Sequence, residues 1–291
     1  MNNSAYRELQ GLTFDKGLGG LTRLTIDTPT AQGEMYLHGA HVTLWNPSGH
    51  KPVLWMSREA IFAAGKAIRG GVPICFPWFG PDPADSTAPA HGYARISEWE
   101  FIDAKNLDEG GVRVRLEKFI APFQLTYQVD FGKELRLALT TSLPDDAIAP
   151  QRFEDALHTY FAVSDVRAIE IAGLESRLFV DKMENAAVKP PSKAPIRFGS
   201  EVDRVYLDTN DTCVITDPVL QRQISVAKLG SASTVIWNPW IDKSLRMKDF
   251  GDDEWTGMVC IETANIANNS IELSPGQSHT TSAIIAVEQM K

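Results

Sequence analysis

Short runs in which apolar and polar residues alternate with a period of two constrain this chain more than any other feature. Leu21-Thr22-Arg23-Leu24-Thr25-Ile26, Val112-Arg113-Val114-Arg115-Leu116, Leu125-Thr126-Tyr127-Gln128-Val129 and Leu135-Arg136-Leu137-Ala138-Leu139 each send every second side chain to one face of an extended segment. Turn signals at Asp15-Lys16-Gly17, Glu109-Gly110-Gly111 and Phe131-Gly132-Lys133 separate such runs at short intervals. Strands joined so closely pair antiparallel, because a parallel pair needs a long crossover. Helical sequence is scarce. Ser57 to Phe62 predicts one short helix capped by Ser57, and Asp242 to Phe250 predicts a turn or two. No βαβ alternation is present, which disfavours a doubly wound fold. The expectation is an all-β chain, a large antiparallel β-sandwich with few short helices. The Pro-rich segment Lys189 to Pro195 has strand-like sequence on both sides. It reads as a surface crossing within one domain spanning 1–291, with a two-domain split as the alternative.

With 291 residues, 43% of them hydrophobic and 22% charged, the chain can bury a sizeable core. It has no apolar run of about 18 residues that would span a membrane. Its N-terminal residues lack the charged start and apolar stretch of a secretory signal, so the cytoplasm is the expected location. The three cysteines, Cys75, Cys213 and Cys260, are far apart and form no Cys-x-x-Cys pair, which argues against a disulfide framework or a zinc-cysteine site. A net charge of -9 argues against nonspecific nucleic-acid binding, which calls for a basic face. An anionic small molecule remains compatible with it if arginines gather locally. No self-complementary apolar stripe is evident, and a monomer is expected.

The stretch from Arg69 to Arg95 concentrates Gly, Pro and aromatic residues between two arginines and a histidine. Its Gly and Pro content rules out a long regular element, and the apolar run Ile74, Cys75, Phe76, Trp78, Phe79 is too hydrophobic for disorder. It reads as a packed loop that presents polar side chains.

Two further segments carry groups suited to proton transfer. Alternation along Phe153 to Val163 puts Leu157, Thr159, Phe161 and Val163 on a core-like face, and Ala156, His158, Tyr160 and Ala162 on the other. That second face meets either solvent or a cleft, and a histidine of purely structural use would fit there equally. Along Met258 to Ala264, Glu262 shares its face with Met258, Cys260 and Ala264, so it is either a desolvated carboxylate with a raised pKa, as a general base requires, or a carboxylate at a sheet edge. Asn238, where a strand reaches the Pro239 turn, is expected to point into the same cleft. Other motifs fail. Ala67 stands where a P-loop after Gly65-Lys66 needs Ser or Thr, Gly39 breaks any helix that would align His38 with His41 for a metal, and there is no Gly-x-Ser-x-Gly elbow.

Several segments together resemble the hexose-6-phosphate 1-epimerases of the wider aldose 1-epimerase (mutarotase) family. These are Gly39-Ala40-His41-Val42, Ile68 to Pro73 with Phe76 to Gly80, His91-Gly92-Tyr93-Ala94-Arg95, Leu157 to Phe161, Glu201 to Tyr206, Trp237-Asn238-Pro239-Trp240 and Cys260-Ile261-Glu262-Thr263. The resemblance implies a galactose mutarotase-like β-sandwich, a sugar on a concave sheet face, and a cofactor-free, metal-free exchange of the α and β anomers of a hexose 6-phosphate such as glucose 6-phosphate. It also implies Glu262 as general base, His158 as general acid on the opposite side of the sugar, His91 assisting, Asp203 on a sugar hydroxyl, and Arg69 and Arg95 on the substrate phosphate. Some members carry Gln where this chain has Trp78, so the contacts around the ring differ there. The alternatives are an aldose 1-epimerase acting on unphosphorylated sugars and a non-catalytic carbohydrate-binding regulator.

Overall fold

The computed structural model describes residues 9–82 and 84–290, and within them the chain is built of antiparallel sheets. An eight-stranded sheet runs in the order Glu170–Ala172, Cys213–Asp217, Arg222–Leu229, Ser278–Gln289, Leu135–Ser142, Phe123–Phe131, Val112–Ile120, Glu100–Asn106. The alternating runs of the sequence form its middle. Val114, Val129, Leu137 and Ala283 stand side by side in register on one face, and all four are buried. Fully burying a Val or Leu contributes about 1.5–3 kcal/mol, so the alternation fixes both register and facing. A four-stranded sheet, Leu12–Lys16, Thr22–Asp27, Ala31–Tyr36 and His41–Pro47, packs beside it, with the Trp45 indole N–H donating to the Gly132 carbonyl at 3.0 Å.

The sheet that matters for function has seven strands, in the order Ala187–Lys189, Phe179–Asp181, Val202–Leu207, Ser233–Asn238, Met258–Asn265, Asp155–Ala162, Ile74–Cys75. Its inner face, with Leu157, Phe161, Val259, Ile261 and Ile236, joins one apolar cluster that reaches from Leu12 to Val287. Three adjacent strands, Ser233–Asn238, Met258–Asn265 and Asp155–Ala162, are buried along almost their whole length, on both faces. Alternation alone predicts half-burial. The difference arises because the segments 76–95 and 239–257 fold over the outer face and turn it into the floor of a cleft.

Two local expectations are corrected. No helix follows Ser57: its hydroxyl accepts the Glu59 N–H at 3.1 Å but also donates to Glu254 at 2.9 Å, and the chain makes a single turn closed by Ala60 N–H on the Ser57 carbonyl. The turn or two of helix expected within Asp242 to Phe250 begins earlier, spanning Trp240–Ser244. The Pro-rich crossing begins as the edge strand Ala187–Lys189 and ends where Ile196 pairs with Ile171.

Candidate active site

Strand register assembles the cleft floor. Val180, Val205, Val235, Glu262 and His158 form one row across the seven-stranded sheet, and Asp203, Trp237, Cys260 and Tyr160 form the next. His158 and Glu262 are therefore direct cross-strand neighbours, with His158 Nε2 3.4 Å from Glu262 Oε1. The two lie side by side on one face of the sheet. His158 also stacks flat on Tyr160, the ring centroids 4.8 Å apart and the planes 6° from parallel.

Burial dominates the electrostatics of this pair. Glu262 is 1% exposed and His158 7% exposed. Desolvation raises the Glu262 carboxyl well above its ordinary range, with the positive charge of Lys182 the main opposing influence. Desolvation likewise drives the His158 imidazole well below its ordinary range, reinforced by His91, Arg95 and Arg69. Burial thus disfavours the charged form of both groups, the carboxylate of Glu262 and the imidazolium of His158.

The walls come from loops. The two ends of the 76–95 segment are pinned together where Phe76 and Gly92 bridge, with Tyr93 N–H on the Phe76 carbonyl at 2.8 Å. Gly92 sits at φ +73°, and a β-carbon there would fall 1.9 Å from the Phe76 carbonyl oxygen, so only glycine permits the crossing. The pinch presents His91 5.9 Å from His158, ring to ring. His91 Nδ1 accepts the Gly80 N–H at 3.2 Å, so the neutral ring carries its proton on Nε2 as a donor. Burial and neighbouring cations push its pKa down to about 2, keeping the ring neutral.

Arg69 enters the cleft behind the tight Gly70-Gly71 turn and is held by two partners. Its Nε and Nη2 meet both carboxylate oxygens of Asp249 at 3.0–3.3 Å, and Nη1 donates to the Tyr160 hydroxyl at 2.9 Å. Asp203 lies at the far side, 3.4 Å from Lys182 and 3.9 Å from Lys243, which itself pairs with Glu201 at 3.0 Å. Arg69, His91, His158, Asp203 and Glu262 thus line one cleft of about 270 Å³.

Arg95 is not among the residues lining it. Its Nη2 donates to the Ala90 carbonyl at 2.7 Å, which braces the loop from below. Asn238 does not point into the cleft: it is fully buried, its amide donates to the Trp255 and Met258 carbonyls, and its oxygen accepts from Trp240 N–H. Trp78 turns its indole N–H to the Pro89 carbonyl at 3.1 Å and packs on Tyr93, inside the loop. His38 and His41 anchor backbone, on the Lys66 and Gly70 carbonyls, with His41 supporting the turn that follows Arg69. Lys182, Lys243, Trp237, Phe79 and Asp249 were missed in the sequence. Lys182 and Asp249 lie on irregular turns where periodicity carries no facing information.

Residues 22–286 match the aldose 1-epimerase family model. The chain belongs to the aldose 1-epimerase family. It is 36% identical over 254 residues to an Escherichia coli K12 protein named "Putative glucose-6-phosphate 1-epimerase", covering 85% of this chain and 84% of the relative. A Cenchrus ciliaris protein of the same name is 33% identical over 259 residues, covering 84% and 78%. Among solved structures, that of YeaD from Salmonella typhimurium, called a "putative mutarotase", superimposes with a TM-score of 0.89 at 30% identity over 97% of this chain and 95% of that one. Galactose 1-epimerase from Lactobacillus acidophilus shares the fold, with a TM-score of 0.72 at 12% identity over 96% and 99% of the two chains.

Proposed function

We propose that this aldose 1-epimerase relative interconverts the α and β anomers of a hexose 6-phosphate by ring opening and closure. The observation that carries the reading is the buried His158–Glu262 pair at the floor of a cleft that Arg69 also lines. The 36% identical E. coli relative, whose name is that of a glucose-6-phosphate 1-epimerase, supports the choice of substrate.

The chemistry needs one base and one acid on two oxygens that share a carbon. The Glu262 carboxylate takes the proton of the C1 hydroxyl while the His158 imidazolium gives one to the ring oxygen. The bond from C1 to the ring oxygen breaks and C1 becomes a carbonyl. After a half-turn about the bond from C1 to C2, the freed hydroxyl attacks the other carbonyl face and both protons return. Because the two reacting oxygens sit on one carbon, an acid and a base on adjacent strands, about 4.8 Å apart, suit them. Each positioned group is worth about 10² to 10⁴ in rate.

The order of strands supports one direction for the sugar. Asp203, Glu262 and His158 follow one another across the sheet. With C1 at Glu262 and the ring oxygen at His158, the C2 hydroxyl reaches toward Asp203. The C6 branch leaves on the His158 side, where Arg69 stands against Tyr160. A planar guanidinium suits a phosphate there, and the dianion favours the proton moving from Glu262 to His158, the tautomer the reaction uses. His91 Nε2–H donates to a sugar oxygen, and Arg95 acts by bracing the loop.

Anomer exchange measured by NMR on glucose 6-phosphate and on glucose tests the reading. Faster exchange of the phosphate ester is expected, and equal rates on both overturn the phosphate assignment. One observation favours the unphosphorylated alternative: Asp249 already occupies two nitrogens of Arg69.

A further inference from the structure

Glu262 must be a carboxylate to act as base, yet it sits in a row whose other members on one side are three valines. Its Oε2 has no protein hydrogen-bond partner among the described residues. A buried carboxylate so placed needs a compensating charge. The charged and titratable groups around it come from several elements: His158 and Tyr160 on the adjacent strand, Cys260 on its own, Cys75 on the edge strand, Asp203 two strands away, Lys182 from the turn after Phe179–Asp181, Lys243 from the Trp240–Ser244 helix, Arg69 beside Tyr160, and His91 and Arg95 from the 76–95 segment. The three cations other than Lys182 are held by groups that do not line the cleft. Arg69 is gripped by Asp249, Lys243 by Glu201, and Arg95 by the Ala90 carbonyl.

Lys182 is held instead by Asp203, a carboxylate that lines the same cleft as Glu262. The turn that presents it is fixed, because Asp181 accepts the Met183 N–H at 3.0 Å and is itself paired with Arg204. From there the side chain crosses the cleft mouth, its ammonium 4.9 Å from the centre of the Phe79 ring on the opposite wall and 3.4 Å from Asp203. It is the one cation among the described residues shown touching both the loop wall and the sheet floor at Asp203. We propose that Lys182 is a positioning residue for the anomer exchange, which fixes Asp203 and supplies the positive charge that lets Glu262 hold a carboxylate in this dry row. This rests on the proposed function above. Lys182 favours the carboxylate half of the ion-pair tautomer, as the substrate phosphate favours the imidazolium half.

The test compares Lys182→Met and Lys182→Arg with wild type. Methionine keeps the apolar contact with Phe79 and removes the charge; arginine keeps the charge. In Lys182→Met the pH profile of kcat/KM is expected to move upward by about one pH unit, the effect of losing one nearby charge, and the kcat plateau to fall by about tenfold. Lys182→Arg is expected to bring the profile back toward that of wild type. A Lys182→Met profile at the wild-type position, with only KM raised, overturns the inference and leaves the residue a mere substrate contact. If the wild type exchanges no sugar anomers, the functional reading fails instead. The carboxyl band of Glu262, identified in difference infrared spectra by its loss in Glu262→Gln, then still decides: a higher titration midpoint in Lys182→Met supports the inference, and an unchanged one overturns it.

Discussion

Glu262 and His158 meet at 3.4 Å on neighbouring strands in a place where neither gains stability from being charged. The carboxyl has a raised pKa, so its contribution to stability is present at low pH and lost as pH rises through that raised value. Glu262→Gln is therefore expected to stabilise the protein at pH 8 by about 1 kcal/mol or more, with little difference at pH 4, while anomer exchange falls at least about 10²-fold. Thermal unfolding at the two pH values and NMR exchange measure both effects.

His158→Ala is expected to lower kcat by about 10² to 10⁴ with little change in fold, since the side chain faces the cleft and the inner face of its strand is untouched. A variant that exchanges anomers at near-wild-type rate would remove His158 from the mechanism.

Acid unfolding follows from three histidines held neutral. Burial lowers His41 to about 3 and His91 to about 2, and lowers His158 well below the usual range. Groups with depressed pKa values contribute stability that is present above the unfolded value, about 6.5, and lost as pH falls below it. Each adds about 1.4 kcal/mol per pH unit to the slope on the acid side. Urea titrations between pH 7 and pH 4.5 should show the midpoint falling steadily, and a His41→Gln variant should show a shallower fall.

Arg69→Lys keeps the charge but loses the planar fork that spans Asp249 and Tyr160. KM for glucose 6-phosphate is expected to rise about tenfold or more, with a smaller change for glucose. Steady-state kinetics on both sugars separate a phosphate contact from a general loss of the site.

Gly92→Ala places a methyl group 1.9 Å from the Phe76 carbonyl at a positive φ. The pinch must open, at a cost of about 1–3 kcal/mol, and His91 moves away from His158. Reduced exchange together with faster proteolysis near residues 76–95 is the expected result.

Much of this was legible beforehand, for reasons that differ by element. The strands carrying Val112, Leu125 and Leu135 alternate cleanly because one face meets the core and the other meets water. His158 and Glu262 could be placed on a facing by the same period. Their adjacency could not, because pairing between strands a hundred residues apart depends on the whole sheet order. Asn238 looked like a cleft residue but its amide satisfies the backbone of the turn it begins, a local need that competes with any ligand role. Arg95 shares the motif of a substrate contact, yet the pinch at Gly92 turns its guanidinium toward Ala90. Lys182 and Asp249 matter through contacts across the cleft that no local pattern encodes.

The crossing of Phe76 and Gly92 separates two design problems. The cleft-lining residues of this segment, Phe79, Gly80, Pro81 and His91, lie close to the crossing, so the span from Asp82 to Ala90 is tethered at both ends regardless of its length. A change in the length of that span would alter what approaches the mouth while the strands of the cleft floor beneath keep their register.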